Sequence, residues 1–202
     1  MKLRPTRRGC LLLLLAPAAA ALGLYLWLRG PGLRREAARL AAVLELRPGA
    51  VAADIGAGKG RLAVQMARRL GPSGRVYATE VEADKLEAIR RAAAESGLGN
   101  VTVVPAGQST TGLPEGCCDA LYLRRVYHHL SEPAAMARAF QAALRPGGRV
   151  AVIDFRFLGH GVEAETVVAQ MTAAGFALDR RIGDWSPIDY CLVFRPPAPR
   201  RQ

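Results

Sequence analysis

The sequence predicts an α/β fold: a three-layer sandwich with a mainly parallel seven-stranded sheet and a C-terminal antiparallel hairpin, preceded by an N-terminal hydrophobic helix. Three observations predict it. Strand-like and helix-like segments alternate from Val51 to Phe155, and such alternation gives parallel sheets covered by helices on both faces. The first strand-like run passes into a turn with glycine at alternate positions, Gly56, Gly58 and Gly60. The last two strand-like segments are separated by Trp185-Ser186-Pro187 alone, which is too short for a helical crossover and implies an antiparallel pair at one edge.

The chain opens with an uncharged apolar run, Cys10 to Leu28, behind Lys2, Arg4, Arg7 and Arg8. The run exceeds a usual signal core of about 7–15 residues and approaches the ~20 that span a bilayer. Tyr25 and Trp27 near its end suit an interfacial belt, whereas Ala16-Pro17-Ala18 and the alanines up to Ala21 suit a cleavage site. Residues 1–30 are therefore expected to be a membrane anchor or an exported, cleaved signal, with a buried helix as the third reading. Thr6-Arg7-Arg8-Gly9 loosely resembles a twin-arginine signal. Arg29, Arg34, Arg35 and Arg39 nearly balance the basic residues ahead of the run, so positive charge does not fix the orientation.

Residues 31–202 are expected to form one domain, since 202 residues with 50% hydrophobic content suffice for one well-buried core and fall short of two of ordinary size. A capping helix, Leu33 to Leu46, ends at Arg47-Pro48-Gly49. Then follow strand Val51 to Ile55, helix Arg61 to Leu70, strand Arg75 to Thr79, helix Ala83 to Ser96 and strand Val101 to Val104. Strand Asp119 to Leu123, helix Pro133 to Leu144 and strand Arg149 to Phe155 complete the alternation. Helix Glu163 to Ala174 precedes the terminal strands Phe176 to Asp184 and Ile188 to Arg195. A ligand of such a sheet sits at the carboxyl ends of the strands, where the strand order switches.

The formal charge of +11 is less of a nucleic-acid signal than it looks. Five of the 28 basic residues and none of the 17 acids fall in the first 29 positions, which leaves +6 on the rest. Those charges are scattered without the clustered stripe of a nucleic-acid binder, so no nucleic acid is expected as partner. Cys10, Cys117, Cys118 and Cys191 have no metal-ligand spacing, and His128, His129 and His160 are the only histidines; no metal is expected.

The turn after the first strand carries the chemistry. Glycines let a ligand approach the backbone, and the helix that follows offers free N–H groups. Asp54 ends the strand beside them, and its charge suits a cationic ligand better than a pyrophosphate.

With these segments in place, the chain from about Leu44 to Pro196 resembles the class I S-adenosylmethionine-dependent methyltransferases, a Rossmann-like family. Val51 to Gly60 looks like the family's first motif. Glu80, at the end of the second strand, looks like the acid that grips the ribose hydroxyls. Leu113-Pro114, Asp119-Ala120-Leu121 and Tyr127-His128-His129-Leu130 resemble the fourth-strand region, and Leu144-Arg145-Pro146-Gly147-Gly148 the turn into the fifth strand. The leader, Leu46 to Gly49, Val126 to His129 and Met171 to Phe176 are together similar to bacterial methyltransferases with an N-terminal hydrophobic segment.

The resemblance implies methyl transfer from S-adenosyl-L-methionine to a small-molecule or lipid-like acceptor. The implied cofactor-binding residues are Asp54, Gly56, Ala57, Gly58, Gly60, Glu80, Val81, Gly107 and Gln108, with Ala106 beside the adenine edge. No residue is assigned as catalyst; His128 and Tyr127 are the candidates, and the alternative is that the His128-His129 pair only packs at the pocket edge. Trp185 and Tyr190 read equally as core aromatics or as a substrate wall. A dehydrogenase is the rival for the glycine turn, but the spacing here is G-x-G-x-G rather than G-x-G-x-x-G. Lys59 stands in the turn where relatives carry a smaller residue, and Ser109, Thr110 and Arg125 stand where they carry acids. The second reading is therefore a catalytically degenerate protein that binds a ligand or partner. Neither the acceptor atom nor the oligomeric state follows from the sequence.

Overall fold

The structure, a computed structural model, describes residues 32–197; the hydrophobic run expected to be an anchor or signal lies outside them. Helix α1 covers residues 32–43. The chain continues through β1 (Val51–Ile55), α2 (Arg61–Leu70), β2 (Arg75–Glu80), α3 (Ala83–Glu95), β3 (Val101–Pro105) and β4 (Cys118–Arg124). A 3-10 turn (Tyr127–His129) leads to α4 (Pro133–Ala143), β5 (Leu144–Phe157), the short β6 (His160–Gly161), α5 (Ala164–Ala173), β7 (Ala177–Ile182) and β8 (Asp189–Arg195). Among the described residues, no helix is long and apolar enough to cross a membrane.

The strands lie in the order β3-β2-β1-β4-β5-β8-β7, with β6 paired to β5 alone. β1 to β5 are parallel, and β8 runs antiparallel between β5 and β7. The order reverses at β1, whose neighbours are β2 and β4, so the carboxyl ends of those three strands frame the binding edge.

Side chains one residue apart on a strand point to opposite faces, and the strands divide the core accordingly. Ala52, Tyr122, Ile153 and Val193 pack under α1, α2 and α3 through Leu40, Met66 and Ile89. Ala53, Leu121, Val152 and Leu192 pack under α4 and α5 through Phe140 and Met171. Both faces are covered, which is why the central strands read as continuous apolar runs rather than as alternating ones.

Two features of β5 depart from the expected boundaries. Pairing begins early, at Leu144 opposite Cys118, and resumes at Arg149 opposite Ala120 after a register shift, so the Pro146-Gly147-Gly148 turn becomes a bulge inside the strand. At Gly148 a Cβ would lie 3.0 Å from the Asp119 carbonyl oxygen, a contact only glycine makes without displacement. At its other end β5 extends to Phe157 and folds back on β6. That hairpin closes because Gly161, at φ 84°, brings its α-carbon against Phe155, where a Cβ would meet the carbonyl oxygen at 1.9 Å. The short stretch Arg156 to His160, interrupted by Gly159, has no strand periodicity.

Candidate active site

A cleft of about 1330 Å³ opens at the carboxyl ends of β1, β2 and β4. Its first wall is made by the glycine turn. Gly60, in the left-handed region at φ 71°, caps α2 without a side chain. Gly56, at φ 67°, lies so near Val126 that a Cβ would meet its Cγ2 at 2.8 Å, whereas a Cβ on Gly58 would meet nothing within 4 Å. Gly56 thus allows the turn to pack, and Gly58 leaves the space over the turn open.

Glu80, 6% exposed, ends β2 beside that turn. Its Oε2 accepts a hydrogen bond from the Gly58 amide and its Oε1 one from the Val81 amide, both at 2.9 Å. Each ionised oxygen has a further acceptor site, so the carboxylate is held rigidly by the backbone and still has capacity for hydroxyl donors. Val81 is 47% exposed and presents an apolar side chain to the cleft. Ala106 donates its amide to the Glu80 carbonyl at 2.9 Å, which brings the segment after β3 to the same wall. Gly107 and Gln108 line the cleft there.

Asp54, 3% exposed, lies deeper in the cleft. Burial pushes its carboxyl from 3.8 up to about 8; the nearby Tyr122 hydroxyl and the Arg124 charge pull it part of the way back, and Glu36 and Glu80 push it further up. Neither Asp54 Oδ2 nor the Tyr122 hydroxyl has a partner in hydrogen-bond geometry. A buried carboxyl without a partner destabilises the ligand-free fold in its charged form, and an ammonium group placed against it would restore that form.

The second wall comes from α1, the end of β4 and the β7–β8 loop. Glu36 accepts from Arg124 Nε at 2.7 Å and from Trp185 Nε1 at 3.3 Å. Arg39 donates to the Trp185 carbonyl at 2.9 Å, with its guanidinium 4.4 Å from the centre of the indole ring. Arg125 makes a two-pronged pair with Asp189, both contacts at 2.9 Å, and Ser186 adds a hydroxyl to the same carboxylate at 2.7 Å. Arg125 and Asp189 thus neutralise each other at the cleft.

The sequence-derived residues Asp54, Gly56, Ala57, Gly58, Glu80, Val81, Gly107 and Gln108 all line this cleft, as does Lys59; Gly60 lies just behind as the cap of α2. Tyr127 and His128 do not line it. Tyr127 is buried in the core under α4, where burial pushes its hydroxyl up to about 12. His128 Nδ1 lies 2.8 Å from the buried Asp154 carboxylate, whose second oxygen accepts the His128 amide at 3.2 Å, and the ring meets Phe155 edge-on. His129, its ring tilted against that of His128 with ring centres 3.9 Å apart, is the histidine of the cleft. A 3-10 turn rotates successive side chains by about a third of a circle, and with His128 tied to Asp154 it is His129 that faces out. Trp185 is both core and wall; Tyr190 donates to the Val162 carbonyl at 2.9 Å, away from the cleft. Sequence reasoning missed Glu36, Arg39, Arg124 and Asp189, because their partners lie 64 to 149 positions away.

A family model described as a methyltransferase domain matches residues 52–148, from β1 to the bulge of β5. The chain superposes on the crystal structure of a SAM-dependent methyltransferase from Aquifex aeolicus with a TM-score of 0.71, at 21% identity, over 78% of this chain and 88% of that one. The chain thus contains a match to a methyltransferase domain and has the fold of the S-adenosylmethionine-dependent methyltransferases. Two curated relatives have different acceptor chemistry. The ubiquinone/menaquinone biosynthesis C-methyltransferase UbiE of Hahella chejuensis is 31% identical over 111 residues, covering 54% of this chain and 45% of that protein. The nocamycin O-methyltransferase of Saccharothrix syringae is 31% identical over 117 residues, covering 58% and 42%. The chain thus matches less than half the length of either.

Proposed function

We propose that this methyltransferase domain transfers a methyl group from S-adenosyl-L-methionine to a small-molecule or lipid-like acceptor. The observation that carries this reading is the pair of buried carboxyls, Asp54 and Glu80, on one cleft wall with no cation bonded to either. The cofactor has a cationic end and a pair of vicinal hydroxyls, and the residues fit both. Glu80, fixed by two backbone amides, would accept the hydroxyl donors in charge-assisted bonds. Asp54 would oppose the ammonium group, and Val81, Ala106, Gly107 and Gln108 would enclose the base.

When bound, S-adenosylmethionine supplies an already electrophilic methyl group. The chain's own contribution is then orientation, worth about 7–11 kcal/mol in favourable cases. The ion-paired second wall supports that role, since Arg124, Arg125 and Trp185 are each held by a partner on another element. His129 is the cleft histidine available to take a proton from an oxygen or nitrogen acceptor. The difference in acceptor between the two relatives supports only the class of reaction, and the acceptor here is assigned no further than its class.

Isothermal titration of the purified full chain with S-adenosylmethionine and with its demethylated product tests the reading. Binding of both is expected, and binding of neither would refute it. The second reading, a ligand-binding protein without turnover, is favoured by Arg125, whose pair with Asp189 occupies part of the cleft; binding of the cofactor without transfer to any acceptor would support it.

A further inference from the structure

We propose that the carboxyl edge of the sheet is a bilayer-facing surface, so that the cleft takes its acceptor from the lipid phase; this rests on the methyltransferase reading above. Five large apolar side chains are exposed among the described residues: Val81, Phe157, Leu158, Leu178 and Ile188. Four of them lie at one edge. Val81 follows the carboxyl end of β2, and Phe157 and Leu158 form the tip where β5 turns into β6. Ile188 precedes β8, whose first residue, Asp189, pairs with Phe155 near the end of β5. Leu158, at 82%, is the most exposed of the five, and no function within the fold accounts for a leucine held out at a hairpin tip.

The second observation concerns where the rest of the chain joins the fold. Glu36 and Arg39 tie α1 to Arg124 and Trp185 at this same edge, and Gly32 and Leu33 line the cleft itself. The uncharged apolar run Cys10 to Leu28 therefore connects to the domain through only Arg29-Gly30-Pro31, at the edge that carries the four apolar side chains. Arg34 and Arg35, both exposed in the first turn of α1, add positive charge for lipid phosphates. The single occupant that matches an apolar tip, a neighbouring basic turn and an adjoining run of membrane-spanning length is a lipid bilayer. An acceptor drawn from it would carry a long apolar part and a methylatable head.

Spin labels read this directly. The full chain, with Cys10 and Cys117 replaced by serine, is labelled at Leu158→Cys or at Ser73→Cys, an exposed position before β2 at the opposite edge, and incorporated into phosphatidylcholine–phosphatidylglycerol vesicles. The label at 158 is expected to collide with oxygen in preference to a polar nickel chelate, at a depth of about 5–10 Å as for interfacial segments; the label at 73 is expected to show the reverse. Equal preference at the two positions, or failure of the chain to partition with vesicles, overturns the proposal. So does dipolar broadening at 158, which would mean that a second copy of the chain covers the tip. Cofactor titration on the same samples separates this outcome from failure of the methyltransferase reading, because label depth does not depend on cofactor binding.

Discussion

The two walls of the cleft are built on opposite principles. On the wall formed by β1, β2 and the segment after β3, two carboxyls are buried: Glu80, held by the Gly58 and Val81 amides, and Asp54, whose Oδ2 has no partner in hydrogen-bond geometry. On the wall formed by α1, β4 and the β7–β8 loop, the buried or half-buried carboxylates meet arginines: Glu36 with Arg124, and Asp189 with Arg125. Asp54 on the first wall suits a cationic ligand, although Lys59 and Lys85 also line the cleft on that side. The paired groups of the second neutralise each other, so they can shape a pocket and fix orientation while adding little net charge. Under the proposed function the first wall would hold the cofactor and the second the acceptor, so substitutions on each side should affect one without the other.

The largest effect is expected from Glu80→Ala. Hydrogen bonds to a charged group contribute about 1.5–3 kcal/mol each, so the loss of two should weaken S-adenosylmethionine binding by about 10²–10⁴-fold in isothermal titration. Glu80→Gln, which keeps the shape and one acceptor, should recover part of it. An unchanged affinity in Glu80→Ala would move the ribose off this wall and erase the contrast between the two sides.

Next in size is the pH dependence set by Asp54. Its carboxyl is raised to about 8 in the ligand-free protein, and an ammonium group binds the ionised form. Affinity should therefore increase with pH up to about 8 and fall by up to about tenfold per unit below it. Asp54→Asn should bind weakly and without that slope. The same shift has an opposite consequence for the ligand-free fold. Between 3.8 and about 8 the unfolded chain has released a proton that the folded chain retains, so the melting temperature should decline as pH rises through that window, and Asp54→Asn should remove this decline.

Arg125→Ala should have the smallest effect on the cofactor and a clear one on the other wall. Asp189 is 2% exposed while the arginine is 38% exposed, which places the cost between those of surface and buried pairs, about 1–3 kcal/mol of stability by denaturant unfolding. Affinity for S-adenosylmethionine should not change, whereas KM for the acceptor should. A matched loss of cofactor affinity would show that the two walls act as one unit.

Much of the first wall was legible in the sequence because its determinants are local. Asp54 to Gly60 is one continuous turn, and Glu80 ends the next strand. Gly56 is required by the approach of Val126, and Gly60 by the cap of α2, so the spacing itself records the geometry. The orientation of the two histidines was not legible: adjacent residues of a 3-10 turn face different directions, and only the Asp154 contact reveals that His128 is turned inward and His129 outward. The β5–β6 hairpin escaped notice because its closure depends on Gly161 meeting Phe155, a fit that no periodicity reports.

By itself, the sequence determined the alternating elements, the parallel sheet with its terminal hairpin, and the residues of the glycine-turn wall. Each of these rests on short-range physics: apolar periodicity, glycine at left-handed positions, and an acid at the end of a strand. Only the tertiary structure decided that α1 forms a cleft wall, that Asp189 supplies the carboxylate for Arg125, and that Leu158 and Ile188 share an edge with the entry to α1. Those depend on which distant segments the packed core brings together. An ion pair spanning 64 positions or more leaves no mark in the local pattern at either end.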